Sequence, residues 1–188
     1  ILGIIPARGG SKGIPMKNIV ELGEKPLIQY TIDQCLKSKF LTKFIVSTDN
    51  LEIAKISEGL GAKVINRPAQ ISIDESRTEE CLIHAISEFE SRFEFFDYVV
   101  ILEPTSPFRK TSTIDNSIKY IIEENKLSLL SCKKSFENIG KLENGKIFKP
   151  LFPNNARRRQ ERPPLYIESS TIYIVEVNFL KKNKSIVS

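Results

Sequence analysis

Short apolar segments alternate with amphipathic segments along most of the chain, and this alternation constrains its fold more than any other feature. The apolar segments predict strands at residues 1–5, 43–47, 62–65, 98–102 and 127–132. Between them, apolar residues at helical spacing predict helices at residues 27–37, 51–59, 78–92 and 112–124. Strands that alternate with helices in this way form a mostly parallel sheet with helices on its faces. The sequence therefore predicts an α/β fold.

A glycine-rich and cationic loop follows the first predicted strand. Residues 7–18 contain three glycines and three basic side chains. Free backbone N–H groups and full positive charges together form a binding site for anions such as phosphate. The order Ser11-Lys12-Gly13 fits neither a Walker A loop nor a G-x-G-x-x-G dinucleotide fingerprint. A plain turn with solvated cations is the alternative, and the three cations beside Asn18 favour phosphate binding over it.

Two further polar segments follow predicted strands. Asp49 comes soon after the strand at 43–47, and Pro104 soon after the strand at 98–102. Ligands bind beyond the carboxyl ends of the strands in such sheets. We therefore expect both segments and the glycine-rich loop to meet at one cleft. We also expect Asp49 to be the N-cap of the helix that follows it.

The alternation stops at Ser135. Residues 143–146 read Glu-Asn-Gly-Lys, which predicts a hairpin turn, and the segment 150–164 is rich in proline and arginine. Such a segment is either a mobile surface loop or an arm that folds onto a partner. We therefore divide the chain into an α/β core at 1–134, a protruding arm at 135–169 and a return to the core at 170–188.

Charge and cysteine content exclude several classes of protein. A net charge of +5 over 188 residues is modest, and the chain lacks the interleaved basic and aromatic residues of a surface that binds nucleic acid. No apolar segment reaches the length of a membrane span, and no secretory signal is visible. Cys35, Cys81 and Cys132 are far apart in apolar segments, which predicts reduced core thiols in a cytoplasmic protein. We expect neither nucleic acid nor a membrane as a partner.

Several segments, taken in order, resemble the acylneuraminate cytidylyltransferase family, whose members make CMP-activated sialic acids and related sugar acids. They are residues 4–18, 45–49, 66–69 and 102–109, and a weaker match runs from 159 to 174. The resemblance implies a Rossmann-like sheet of the nucleotide-diphospho-sugar transferase type, with nucleotide bound by the core and a homodimer formed through the arm. It also implies transfer of CMP from CTP to a sialic-, legionaminic- or pseudaminic-like sugar acid. Pyrophosphate is then the leaving group and Mg²⁺ the cofactor.

The resemblance also assigns individual residues. Arg8 and Lys17 correspond to the catalytic cations that contact phosphate. The implied nucleotide-binding positions are Ala7, Arg8, Gly10, Ser11, Lys12, Lys17, Asn18, Arg67, Ser76 and Thr78. The implied sugar-binding positions are Glu103, Thr105, Ser106, Lys141, Arg159 and Tyr166. The family's metal-binding Asp-x-Asp element is expected beyond Ser188, so we expect no metal ligand within these residues and a C-terminus that is incomplete.

Some positions depart from the family pattern. Glu103 stands where sialate-specific members have glutamine, and Ile167 and Ser169 stand where an arginine and an asparagine are found. Two alternatives therefore stay open. One is a nucleotidyltransferase for a non-acidic sugar or another nucleoside triphosphate, and the other is a catalytically inactive homologue that binds a nucleotide sugar. Arg67 also has a second interpretation, as a solvated residue that precedes a turn.

Overall fold

The structure is a computed structural model that describes residues 1–10, 13–152 and 156–188. The chain divides into two compact units. The first unit contains Ile1–Leu130 and Ser170–Ser188, and the second contains Ser131–Ser169.

A mostly parallel sheet forms the centre of the first unit, as the sequence predicts. In chain order the strands are β1 (Leu2–Pro6), β2 (Glu21–Leu22), β3 (Lys25–Pro26), β4 (Lys43–Thr48), β5 (Lys63–Asn66), β6 (Tyr98–Ile101), β7 (Ser128–Ser135), β8 (Gly140–Glu143), β9 (Ile147–Pro150) and β10 (Leu165–Glu176). The central sheet has the order β5-β4-β1-β6-β10-β7, while β2 pairs with β3 and β8 with β9. β1 lies parallel to β4 and β6, and β4 lies parallel to β5. β10 is antiparallel to β6, which the sequence did not predict.

The helices agree closely with the predicted ranges. They are α1 (Leu27–Lys37), α2 (Leu51–Gly59), α3 (Thr78–Glu90), α4 (Thr111–Glu123) and α5 (Val177–Asn183). α1 and α2 have the predicted bounds, and α3 and α4 differ from prediction by no more than two residues at either end. α5 was not predicted.

Helices cover both faces of the central sheet. Successive side chains of a strand point to opposite faces. In β1, Leu2 and Ile4 belong to the apolar cluster that contains α3 and α5 residues, whereas Ile5 lies in the cluster with α1, α2 and α4 residues. All three side chains are fully buried. Because both faces are covered, polar functional groups of this sheet are confined to the strand ends and the loops that follow them.

The prediction of core thiols is correct for two cysteines and wrong for the third. Cys35 and Cys81 are buried, and burial raises the pKa of Cys35 to about 12. Cys132 is exposed, because β7 leaves the core after Leu130 and continues into the second unit. No helix among the described residues is long and apolar enough to cross a membrane.

The second unit contains the predicted hairpin. Antiparallel strands β8 and β9 are joined by a turn in which Asn144 has a φ of 51° and Gly145 a φ of 68°. Three residues, 144–146, connect the strands, and successive positive φ angles at the asparagine and glycine are the geometry of a type I′ turn, so the turn prediction is confirmed. Apolar side chains of the hairpin, such as Leu142 and Phe148, are exposed within this unit.

Candidate active site

A cleft of about 450 Å³ lies at the carboxyl ends of the parallel strands. Arg8 enters it from the loop after β1, and Arg67 from the residue after β5. Glu103 and Thr105 enter it from the loop after β6, and Thr78 from the first turn of α3. The cleft is therefore where this class of sheet places its ligands.

The cleft brings together predicted residues from segments that are far apart in the sequence. They are Arg8, Lys17, Asn18, Arg67, Ser76, Thr78, Glu103 and Thr105. Other predicted positions lie elsewhere. Ala7 is fully buried in the core, where its backbone N–H donates to the Ser47 carbonyl at 2.9 Å, and Gly10 is exposed but does not line the cleft.

The remaining predicted positions divide into three groups. Ser106 lines a separate cavity, and its hydroxyl donates to the Ser170 carbonyl at 3.1 Å. Lys141, Arg159 and Tyr166 are exposed in the second unit. The predicted residues Ser11 and Lys12 lie outside the described residues.

The loop after β1 is held in shape by hydrogen bonds to its backbone. Asn18 is buried, and its side-chain Nδ2 donates to the Arg8 carbonyl at 3.0 Å. Asp49 Oδ1 accepts from the Gly9 N–H at 2.8 Å. A Cβ on Gly9 would lie 3.0 Å from the Asn50 side chain, so a side chain at this position would crowd that neighbour. Glycine here allows the loop to approach the start of α2 closely.

The prediction that Asp49 caps α2 is wrong. Asn50 is the N-cap, and its Oδ1 accepts from the N–H groups of Glu52 at 2.9 Å and Ile53 at 3.0 Å. Side-chain oxygens at the N-cap satisfy donors that the helix leaves unpaired. Asp49, one residue earlier, instead accepts from Gly9 in the loop after β1, and it does not itself line the cleft where we expected it.

Arg67 is buried rather than solvated, so its interpretation as a solvated residue is wrong. It is 7% exposed, and it donates through Nη2 to the Ser47 carbonyl at 2.8 Å and through Nε to the Ser47 hydroxyl at 3.2 Å. The Cys81 thiol, which also lines the cleft, is 3.3 Å from the same hydroxyl. Burial raises the pKa of Cys81, which keeps it a neutral thiol and disfavours a nucleophilic role.

Arg109 supports the loop that carries Glu103, and the sequence analysis did not assign it a role. Its guanidinium is 4% exposed and donates to the carbonyls of Glu103 at 2.8 Å and Thr171 at 2.5 Å. Burial lowers the pKa of Arg109 to about 10, which leaves it charged at neutral pH. At the same loop, the Thr105 hydroxyl donates to the Glu103 carboxylate at 3.3 Å. The feature of the sequence that could have indicated this role is the position of Arg109 at the end of a proline-rich loop.

Positive charge exceeds negative charge among the cleft-lining residues. The cations are Arg8, Lys17, Arg67 and Arg77, and the carboxylates are Asp74 and Glu103. Asp74 forms an ion pair with Arg8 at 2.8 Å. Within residues 1–10, 13–152 and 156–188, no group of three His, Cys, Asp or Glu side chains is placed to hold a metal ion. The described cleft is thus suited to bind an anion.

Comparison with known proteins agrees with the fold and the motifs. The sequence profile of the Cytidylyltransferase family matches residues 2–184. The chain is 34% identical over 199 residues to the CMP-N,N'-diacetyllegionaminic acid synthase of Legionella pneumophila, covering 100% of this chain and 83% of the relative. It is 39% identical over 119 residues to the N-acylneuraminate cytidylyltransferase of Escherichia coli O18:K1:H7, covering 63% of this chain but 27% of that protein.

Among solved structures, the chain is similar to a CMP:2-keto-3-deoxy-manno-octonic acid synthetase complexed with CTP. The TM-score is 0.74 at 18% identity, covering 97% of this chain and 76% of that one, so the likeness concerns the fold. The profile match over nearly the whole chain establishes the family. The chain belongs to the cytidylyltransferase family of nucleotidyltransferase enzymes.

Proposed function

We propose that this enzyme transfers CMP from CTP to a nonulosonic sugar acid and releases pyrophosphate. The observation that carries the proposal is the cleft, in which Arg8, Lys17 and Arg67 concentrate positive charge at the carboxyl ends of the strands. A triphosphate is an anion that such a cleft fits. The acceptor class is supported by the relative named CMP-N,N'-diacetyllegionaminic acid synthase.

The reaction needs no covalent intermediate on the protein. A sugar hydroxyl oxygen attacks the α-phosphorus of CTP and forms a new P–O bond. The bond from the α-phosphorus to the bridging oxygen breaks, pyrophosphate leaves with its electron pair, and the hydroxyl proton passes to solvent. Reactions of this kind depend on positioning and on neutralising charge. A cleft without an activated thiol is compatible with this chemistry.

Each group of cleft residues has a role in this proposal. Arg8 and Lys17 stabilise the negative charge that grows on the transferred and leaving phosphates. Arg67 keeps its Nη1 for the ligand, since Nε and Nη2 are bound to Ser47. Thr78 lies at the nucleoside, and Glu103 lies at the sugar, where its carboxylate accepts from a hydroxyl or amine group of the sugar, away from the substrate's own carboxylate.

A divalent cation belongs to the proposal as a requirement of the reaction, but no step here is assigned to it. Mg²⁺ is usually bound through one or two carboxylates together with substrate phosphates, rather than by a cage made of protein alone. The expectation that further metal ligands follow Ser188 stays a prediction.

We also propose that the protein forms a homodimer through the second unit and that it is located in the cytoplasm. The exposed apolar side chains of the β8–β9 hairpin support a partner surface, and the unpaired thiols of Cys35 and Cys81 support a reducing compartment. Analytical ultracentrifugation tests the dimer. Leu142→Glu is expected to weaken self-association at least tenfold, while Leu51→Glu, at a 78% exposed apolar residue of the first unit, leaves it unchanged. A monomeric wild-type protein would contradict the proposal.

Pyrophosphate release tests the function. The protein is incubated with each of the four nucleoside triphosphates and with N-acetylneuraminate, N,N'-diacetyllegionaminate, pseudaminate or a neutral sugar. We expect turnover only when CTP is combined with a nonulosonic acid. Turnover with a neutral sugar or another triphosphate would instead support a different nucleotidyltransferase. CTP binding without turnover in any combination would support the inactive homologue.

A further inference from the structure

Arg8 is already engaged by an anionic side chain of the protein. Its Nη2 lies 2.8 Å from Asp74 Oδ1, with 30% and 37% of the two side chains exposed. Asp74 belongs to the segment 72–77, between the 3₁₀ turn Ala69–Ile71 and α3, and so comes from a different part of the sequence. Both residues line the cleft.

The same segment holds Arg8 through a second contact. Arg8 Nη1 donates to the Ile73 carbonyl at 3.0 Å. That carbonyl also accepts from the Ser76 N–H at 3.1 Å. The guanidinium of Arg8 and the backbone turn that places Ser76 therefore share one acceptor.

We infer that Asp74 is a positioning residue that holds Arg8 in the cleft in place of phosphate and is displaced when a nucleotide binds. The inference rests on the proposed function, because the displacing anion is the triphosphate. A guanidinium recognises carboxylate and phosphate through the same fork of N–H groups. A triphosphate on Arg8 also brings its charge close to the Asp74 carboxylate, and like charges repel.

Replacement of Asp74 by phosphate on Arg8 couples the loop after β1 to the segment that contains Ser76. When phosphate draws Arg8 away, the Ile73 carbonyl loses one of its donors and the turn that places Ser76 is free to adjust. Phosphate binding is thereby transmitted to the segment that leads into Thr78 and α3. Asp74 keeps Arg8 ordered in the free enzyme at the expense of affinity for the nucleotide.

Asp74→Asn tests the inference, because it removes the charge while keeping the shape and a hydrogen-bond acceptor. Calorimetric titration with inorganic tripolyphosphate, and then with CTP, is expected to show about two- to fivefold tighter binding, the size of a partly exposed ion pair. The gain is expected to shrink in 0.5 M NaCl through screening. In pyrophosphate-release kinetics, KM for CTP falls while kcat does not rise.

Glu75→Gln is the matched control. It makes the same charge change one residue away, at an exposed side chain that does not line the cleft. We expect it to change tripolyphosphate affinity less than twofold. In an Arg8→Ala background, the gain from Asp74→Asn is expected to be smaller than in the wild type, because the cation that Asp74 shares with phosphate is gone.

The outcomes separate this inference from the proposed function. If the wild type binds tripolyphosphate and CTP but Asp74→Asn behaves like Glu75→Gln, the positioning role is overturned and the proposed function stands. If the wild type binds neither ligand, both are overturned. A crystal structure with CTP gives a readout that needs no variant. Separation of Arg8 from Asp74 beyond ion-pair distance supports the inference, and an unchanged pair overturns it.

Discussion

The cleft at the strand ends and the β8–β9 hairpin differ in how their residues are stabilised. At the cleft, Arg67 and Asn18 are buried and have hydrogen-bond partners on the protein. In the hairpin, every residue of β9 is exposed, including Ile147 and Phe148. The first unit has a buried apolar core, and the described cleft is lined by its own residues. The hairpin leaves apolar surface uncovered, which fits an element whose stability depends on a partner.

Removing divalent cations should have the largest effect on activity and the smallest on the fold. We expect EDTA to reduce pyrophosphate release by at least about 100-fold, because the metal supplies several kcal/mol of charge stabilisation, and Mg²⁺ to restore it. The melting temperature should change little, because Mg²⁺ at sites of this kind is held largely by substrate phosphates. A lower melting temperature in EDTA would place a structural metal in the folded protein.

Lys17→Ala should lower kcat/KM by about 10²- to 10³-fold, the loss usually seen when a group that stabilises developing charge is removed. The fold should be retained, since Lys17 is only partly buried on the cleft wall. Pyrophosphate release and circular dichroism give the two readouts. Lys37→Ala removes an exposed lysine at the end of α1 and serves as the control. Equal activity of the two variants would remove Lys17 from the catalytic machinery.

Arg109→Ala should destabilise the first unit by about 2–5 kcal/mol, because two partly buried carbonyls lose a charged donor. Urea unfolding measures the loss. Arg92→Ala is the matched control, since Arg92 is 68% exposed and makes an i,i+4 pair with Glu88 at 3.6 Å. That pair is worth less than about 1 kcal/mol. Similar losses for both variants would show that the Arg109 hydrogen bonds carry no special weight.

Thiol labelling compares the two units without any substitution. At pH 8, a disulfide reagent should modify exposed Cys132 rapidly and buried Cys35 only on unfolding. In the folded protein, burial raises the pKa of Cys35 from its ordinary value of 9.0 to about 12, so the folded state holds this proton more tightly. Stability should therefore fall as the pH rises from about 9 towards 12. Rapid labelling of Cys35 at pH 8 would show that the core opens locally.

Much of the core was predictable from the sequence because its signals are local. Strands covered on both faces are continuously apolar, as in Val99–Ile101, and the spacing of Ile28, Ile32 and Cys35 marks the buried side of α1. The meeting of the loops after β1 and β6 at one cleft follows from the parallel order of the strands. The rule about strand ends placed the loops after β1 and β6 at the cleft, while most of its individual residues were assigned through the family resemblance.

The parts that were missed depend on contacts that the sequence does not encode locally. Asp49 and Asn50 are adjacent and equally good helix caps, and only the position of Gly9 decides which residue serves the loop. Arg109 is bound to the carbonyl of Thr171, 62 residues away. The ion-pair partner of Arg8, Asp74, lies in an irregular segment, where no periodicity indicates a role for it.

The place of β10 between β6 and β7 has a consequence for synthesis of the chain. β4, β5 and β6 can each join the sheet as soon as they leave the ribosome, because a neighbouring strand, β1 or β4, has already been made. β7 emerges next but has no partner on the growing sheet until residues 165–176 appear. An unpaired strand of this kind is open to association with other chains. The time needed to translate the intervening residues thus sets how long the nascent protein stays exposed to that hazard.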